Sequence, residues 1–188
     1  MSYQQDIWSQ MQEQAKTLAI GEPLLASYYH ANIVNHSDFT SALAFYMAAN
    51  LESQSVTALT LNEVFTKLLR ASPSLGEAGI DDIQAYFERD PACDNFCRPL
   101  LFFKGYMAIQ AYRLAHELWC SGRSSLARYI QHQVSMLCDV DIHPAAVVGR
   151  GILVDHGTGL VIGETAKIGD NVSLLHGVTL GGTGNESG

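Results

Sequence analysis

Basic residues are scarce in this chain, and it has no long apolar run. Its 188 residues hold 11 Lys and Arg against 19 Asp and Glu, a formal charge of −8 with histidine neutral. The few basic residues do not cluster, so the sequence offers no electrostatic footprint for nucleic acid or an anionic membrane. No window reaches the ~18 apolar residues of a membrane span. The opening MSYQQDIWSQMQEQAKTLA has neither a basic n-region nor an unbroken apolar stretch, so no signal peptide is expected there. Cysteine is sparse too: Cys93, Cys97, Cys120 and Cys138, with no CxxC pair. Without an export signal these read as reduced thiols of a cytoplasmic protein, and a zinc site on Cys93 and Cys97 has little support. Charged residues make up only 16% while hydrophobic residues make up 47%, which excludes a disordered chain. What remains is a folded protein of one sizeable domain or two small ones, open to small-molecule chemistry and protein partners.

Residues 1–140 read as helices. Ile7, Met11, Ala15 and Leu18 recur at helical spacing. A second run, Leu24 to Val34, follows Pro23. Ser37 and Asp38 look like an N-cap and a first-turn acid for Ser41 to Leu51. Thr60 to Arg70 and Asp81 to Phe87 continue the pattern as far as Asp90-Pro91. One long apolar helix is predicted from Pro99 to about Trp119, stopping at Ser121-Gly122, and a last one over Ser124 to Cys138. Short polar joints between these segments predict a compact bundle.

From Asp141 the period changes to six. The chain reads IHPAAV, VGRGIL, VDHGTG, then an extra Leu160-Val161, then IGETAK, IGDNVS, LLHGVT and LGGTGN. An aliphatic residue opens each hexad: Ile142, Val148, Val154, Ile162, Ile168, Leu174 and Leu180. The fifth place holds Ala146, Ile152, Thr158, Ala166, Val172 and Val178. Three hexads make an 18-residue triangular coil, with the aliphatic residues inward and the fifth-place residues near the corners. Gly149, Gly163 and Gly169 suit the bends between faces. A β-sandwich with chance spacing is the bland alternative, but six hexads in phase after a single slip favour a parallel β-helix. Only two full coils, 142–159 and 162–179, and the start of a third are present, so the β-helix is expected to be incomplete at the C-terminus. A bare coil end exposes unpaired backbone and needs a cap or a neighbour.

Of the seven histidines, His30, His36, His116 and His132 lie in helical segments, where a structural role is the ordinary one. His143 precedes Pro144 and could cap the entry turn. His156 stands apart, in a polar Asp-His-Gly-Thr-Gly stretch beside the slip, where a broken repeat can re-aim a side chain. An imidazole so placed is a candidate general base near neutral pH.

The stretch Asp141 to Gly184, DIHPAAVVGRGILVDHGTGLVIGETAKIGDNVSLLHGVTLGGTG, closely resembles the serine acetyltransferases. So do EPLLASYYHANIV (22–34), SALAFYMAANL (41–51), DIQAYFERDPACD (82–94) and PLLFFKGYMAIQAYRLAHELW (99–119). The resemblance implies an α+β chain: an all-α helical bundle over 1–140 that contributes to oligomerisation and substrate binding, then a left-handed parallel β-helix over 141–188. It implies acetyl transfer from acetyl-CoA to the hydroxyl of L-serine, the first step of cysteine biosynthesis, without cofactor or metal, acetyl-CoA being a co-substrate. His156 matches the general base and Asp141 the carboxylate that orients it. These two stand 15 residues apart, just short of one coil, so neighbouring coils can carry them. Asp90 and Asp155 match positions that hold the substrate's amino group. Implied partners are L-cysteine as feedback inhibitor, further copies of the chain as a trimer or dimer of trimers, and O-acetylserine sulfhydrylase, which docks through a C-terminal tail absent here.

In the family an Arg-His pair and further coils follow GGTG, and this sequence stops at Gly188 before them. It therefore resembles a C-terminally truncated member, with most CoA contacts expected beyond Gly188 and activity expected to be weak or lost. The alternative is an oligomeric assembly fragment impaired in catalysis. Minor alternatives are a zinc lyase of the γ-carbonic-anhydrase type, using His143, His156 and His176, and a hexapeptide acetyltransferase acting on sugars or homoserine.

Overall fold

The helical spacing of the first half produces the expected helices, with changes at their ends. In the computed structural model, which describes residues 3–182, α1 runs Tyr3–Gly21 and buries Ile7, Met11 and Ala15. The run after Pro23 is helical but irregular: a tight turn at Pro23–Leu25, α2 at Ala26–Tyr29 and a wide π-type turn at His30–Val34. Helix α3 spans Phe39–Leu51. Its cap is Asp38 itself, whose Oδ1 accepts the Ser41 amide at 2.8 Å. The expected roles of Ser37 as cap and Asp38 as first-turn acid therefore shift by one residue. The carboxylate also accepts the hydroxyls of Ser37 and Thr40. Burial pushes its pKa up, but these hydrogen bonds outweigh it and hold the group below the usual carboxylate range.

Helix α3 is apolar around most of its circumference, which suits a helix at the centre of a bundle. Leu43, Met47 and Leu51 are fully enclosed, and Leu61 and Phe65 of α4 (Ala58–Ala71) are buried where α4 packs against it. Enclosing side chains of this size contributes about 1.5–3 kcal/mol each, before the entropy of ordering them. Helix α5, Pro73–Arg89, starts a full two turns earlier than the sequence pattern suggested. Pro73 occupies its first turn, where a missing N–H leaves nothing unpaired.

The single helix expected from Pro99 to Trp119 is two: α6 at Cys97–Phe102 and α7 at Lys104–Cys120, with Phe103 extended at φ −99° and ψ 107°. The Leu101 carbonyl supplies the reason. It accepts the hydroxyls of Tyr28 at 3.0 Å and Tyr46 at 3.1 Å, so it is engaged where a continuing helix needs an acceptor. Compactness follows this break. The chain divides into Met1–Phe103 and Lys104–Gly188, whereas the sequence pattern changes at 140/141.

Helices α7 and α8 (Ser124–Cys138) belong with the strands because they cover the first coil. Three first-coil carbonyls find donors on α7. Tyr112 Oη donates to Ala146 O at 2.5 Å, Arg113 Nη2 to Gly149 O at 2.8 Å, and His116 Nδ1 to Pro144 O at 2.7 Å. Burial pushes the Tyr112 phenol up to about 12, so it remains a donor throughout the neutral range. The preceding helices thus cap the first coil, where fifth-place Ala146 and Ile152 are fully buried while Thr158 is exposed; the C-terminal coil end, for which a cap or neighbour was expected, runs on beyond the described residues.

The strands are β1 (Val140–Ile142), β2 (Val147–Val148), β3 (Leu153–Val154), β4 (Leu160–Ile162), β5 (Lys167–Ile168), β6 (Ser173–Leu174) and β7 (Thr179–Leu180). They stack in parallel as β1-β4-β7, β2-β5 and β3-β6, three faces of a parallel β-helix. Ile142 pairs with Ile162, Val148 with Ile168 and Val154 with Leu174, each 20 residues on; Ile162 then pairs with Leu180, 18 residues on. The two-residue slip at Leu160-Val161 is therefore a real enlargement of the first coil. Ile142, Val154, Ile162, Ile168 and Leu174 are buried, as their place in the hexad requires.

The glycines at the bends differ from expectation. Gly149, Gly163 and Gly169 have ordinary φ; positive values fall at Gly151, Gly157, Gly159 and Gly177. Gly149 and Gly163 are needed for close approach instead, since a Cβ there would meet the backbone of the following coil at 2.7 Å and 3.2 Å. The LGGTGN hexad beyond Gly182, and the expected truncation at Gly188, lie outside the described residues. Among the described residues no helix is long and apolar enough to cross a membrane.

Candidate active site

The enlargement of the first coil is taken up between β3 and β4, and His156 lies within that turn. Two hydrogen bonds shape it: the Gly157 amide donates to Asp155 O at 2.6 Å, and the Asp155 amide donates to Leu174 O of the next coil at 2.8 Å. His156 thereby takes a left-handed backbone, φ +56°, ahead of Gly157 at +75° and Gly159 at +71°. A non-glycine residue there costs roughly 1–2 kcal/mol and persists only where its surroundings impose it. The surroundings are visible. Gly157 is buried, and a Cβ on it would meet Val154 Cγ1 at 2.7 Å and Val140 Cγ2 at 3.1 Å. The Gly159 amide donates to Asp139 O at 2.8 Å. The turn is wedged back against the chain entering β1.

The imidazole itself stands in solvent, its side chain 80% exposed. Its Nε2 lies 3.9 Å from Oδ1 of Asp155. Asp141, in β1, is partly buried and accepts Gln131 Nε2 of α8 at 2.7 Å. Asp141 and His156 sit at opposite ends of the same 20-residue coil, not on neighbouring coils, and the Gly157 turn folds back to Val140 beside Asp141. No ion pair under 4 Å joins Asp141 to His156 among the described residues. An exposed base with a carboxylate beside it can accept a proton from an incoming hydroxyl.

The comparisons with known proteins agree along the chain. Residues 7–111 match the family model described as serine acetyltransferase, N-terminal. The chain is 47% identical over 183 residues to the serine acetyltransferase of Haemophilus influenzae, covering 97% of this chain and 68% of that protein. The chain belongs to the serine acetyltransferase family. Among solved structures, the serine acetyltransferase of Vibrio cholerae superposes with a TM-score of 0.96 at 48% identity, covering 98% of this chain and 72% of that one. The soybean serine acetyltransferase complexed with serine gives 0.95 at 43% identity, covering 100% and 77%. Other solved serine acetyltransferases hold cysteine or CoA. Family membership displaces the zinc-lyase and β-sandwich alternatives.

Asp90, the remaining expected site residue of this serine acetyltransferase chain, caps the end of α5. Its Oδ1 accepts the Ala92 amide and its carbonyl accepts the Cys93 amide, both at 2.9 Å. Two residues at the candidate site escaped the sequence reading. Gln131 holds Asp141, and Lys104 Nζ donates to Thr158 Oγ1 in the His156 turn. Gln131 and Lys104 lie on helices whose periodicity marks only their apolar faces, so nothing in the sequence singled them out. An open cavity of about 710 Å³ in the helical unit, lined by Trp8, Asp38 and Arg70 among others, contains none of the four expected site residues.

The thiols differ sharply in their surroundings. Burial pushes Cys93 up to about 11, Cys97 to about 12 and Cys138 to about 11, while Cys120 is exposed at the end of α7. A thiol so raised remains protonated at pH 8 and hardly reacts. Ellman's reagent at pH 8 is therefore expected to titrate one thiol rapidly in the folded chain and four in denaturant. Rapid reaction of two or more in the folded chain would contradict these burials.

Proposed function

We propose that this chain catalyses acetyl transfer from acetyl-CoA to L-serine with His156 as the general base. The observation that supports this most is His156 itself, presented to solvent on a strained turn beside Asp155 in a chain of the serine acetyltransferase family. In the reading we favour, His156 takes the proton of the serine hydroxyl as its oxygen attacks the thioester carbonyl. The carbon–sulfur bond then breaks, and the sulfur leaves with that proton as the CoA thiol. Asp141 holds the imidazole in the productive tautomer and stabilises its charged form, as the carboxylate does in a hydrolytic triad. Asp155 supplies a carboxylate for the substrate's cationic amino group, and Asp90 is the second carboxylate we assign to it.

O-Acetylserine made this way is the precursor for sulfur incorporation into cysteine, and cysteine is the inhibitor we assign to the same site. We place the reaction in the cytoplasm. We also propose self-association through the β-helix, in keeping with the exposed apolar side chains Val147, Val161 and Leu175.

The test is release of free thiol from acetyl-CoA with and without L-serine. Thiol release that requires serine and is suppressed by cysteine is the expected result. Release at the same rate without serine would overturn the proposal.

A further inference from the structure

We propose that Lys104 is a positioning residue whose ammonium clamps the turn that carries His156; the inference rests on the reading of His156 as the base. Lys104 opens α7, and its Nζ donates to Thr158 Oγ1, two residues past His156. The next residue reinforces the placement: Gly105 Cα lies 3.9 Å from where a Cβ on Gly157 would sit. A third element meets there as well. The charge of Lys104 reaches Cys138, the last residue of α8, where it opposes the upward push of burial on that thiol. The start of α7, the end of α8 and the His156 turn thus share one cation.

The turn needs such an anchor. The His156 side chain stands in solvent, so the place from which it reaches out is set by the backbone on either side. Before it, Asp155 is tied to the next coil; after it, Gly157 is wedged by packing and Gly159 is tied to Asp139. Thr158 is the only side chain in the stretch between the two glycines, and it is exposed. A β-branched residue has a stiff χ1, so holding its hydroxyl also fixes the backbone that bears it. Lysine fits this task because its ammonium only donates and does not compete for the proton that the base must accept.

The experiment compares the parent chain with K104M, T158V, the K104M/T158V double variant and T158S. Two readouts are taken: backbone amide exchange, and kcat with KM for serine. The clamp predicts that K104M and T158V each speed exchange at Gly157, Gly159 and Leu160 about tenfold, while amides within α7 keep their protection. It predicts that kcat falls about tenfold with KM for serine changed less than about twofold, because the base is misaimed and the binding carboxylates are untouched. The double variant is expected to be no worse than either single one, and T158S to recover most of what T158V loses. Unchanged exchange in both single variants, or effects that multiply in the double, would overturn the clamp. Should K104M fail to fold, T158V carries the test from an exposed side chain. Should the parent chain not acetylate serine, the catalytic reading falls, and the exchange measurement decides the clamp alone.

Discussion

Replacing His156 with alanine is expected to lower serine-dependent turnover about a thousandfold, within the range of about 10²–10⁴ that a positioned general base contributes. The size follows from the chemistry, since the serine hydroxyl stays protonated near neutral pH and attacks poorly until its proton is taken. The position supports the assignment: the imidazole is 80% exposed, on a backbone held at φ +56°. A second variant separates chemistry from shape. Asparagine tolerates the left-handed region better than most residues but cannot act as the base. H156N is therefore expected to fold like the parent, bind serine with a similar KM and lose as much kcat as H156A. If H156N kept even a tenth of the parent rate, another group would have to take the proton. Steady-state thiol release, with a melting curve for each variant, decides between these outcomes.

The second large effect concerns stability. Gly149→Ala is expected to destabilise the β-helix by about 3 kcal/mol, the upper end of what overpacking costs. A Cβ at this position would lie 2.3 Å from Asp170 Oδ1, 2.7 Å from the Asp170 amide nitrogen and 2.7 Å from the Gly169 carbonyl carbon. Most of that obstruction is backbone and cannot rotate away. The one side-chain atom involved is itself committed, because Asp170 Oδ1 accepts the Arg150 amide at 2.8 Å. The coils would have to separate where the Gly149 amide donates to Ile168 O at 2.9 Å and Arg113 donates to the Gly149 carbonyl. Gly169→Ala is the control. It has ordinary φ and, among the described residues, nothing within 4 Å of its Cβ position, so its effect is expected within about 0.5 kcal/mol. For a chain of this size 3 kcal/mol corresponds to a fall of roughly 6–12 °C in Tm, readable by circular dichroism. Equal melting of the two variants would contradict the packing described here.

These positions also mark how far the sequence could be read. The hexad period fixed which residues face inward, and the extra Leu160-Val161 located the enlarged coil, because both are properties of chain spacing that survive folding. Which glycines face a neighbouring backbone is not a local property. Gly149 and Gly169 look alike in the repeat, yet among the described residues only at Gly149 would a Cβ run into another coil. The break at Phe103 was hidden for the same reason, since its cause lies on tyrosines 28 and 46, far along the chain. At the candidate site, the polar stretch that interrupts the aliphatic repeat singled out His156 as a candidate, while its role as base came from the family resemblance. The partners that hold the site were not legible, because Lys104 and Gln131 become neighbours of Thr158 and Asp141 only when α7 and α8 fold over the first coil.

The central claim is that the acetyl group leaves the CoA sulfur and arrives on the serine oxygen with His156 as the base. Carbon-13 NMR of a reaction begun with acetyl-CoA labelled at the carbonyl tests this directly. The account predicts that the thioester carbonyl signal decays while an oxygen-ester carbonyl grows in step with L-serine consumption, and that H156N leaves the thioester intact on the same timescale. Persistence of the thioester with the parent chain, or an ester that forms equally fast with H156N, would contradict it.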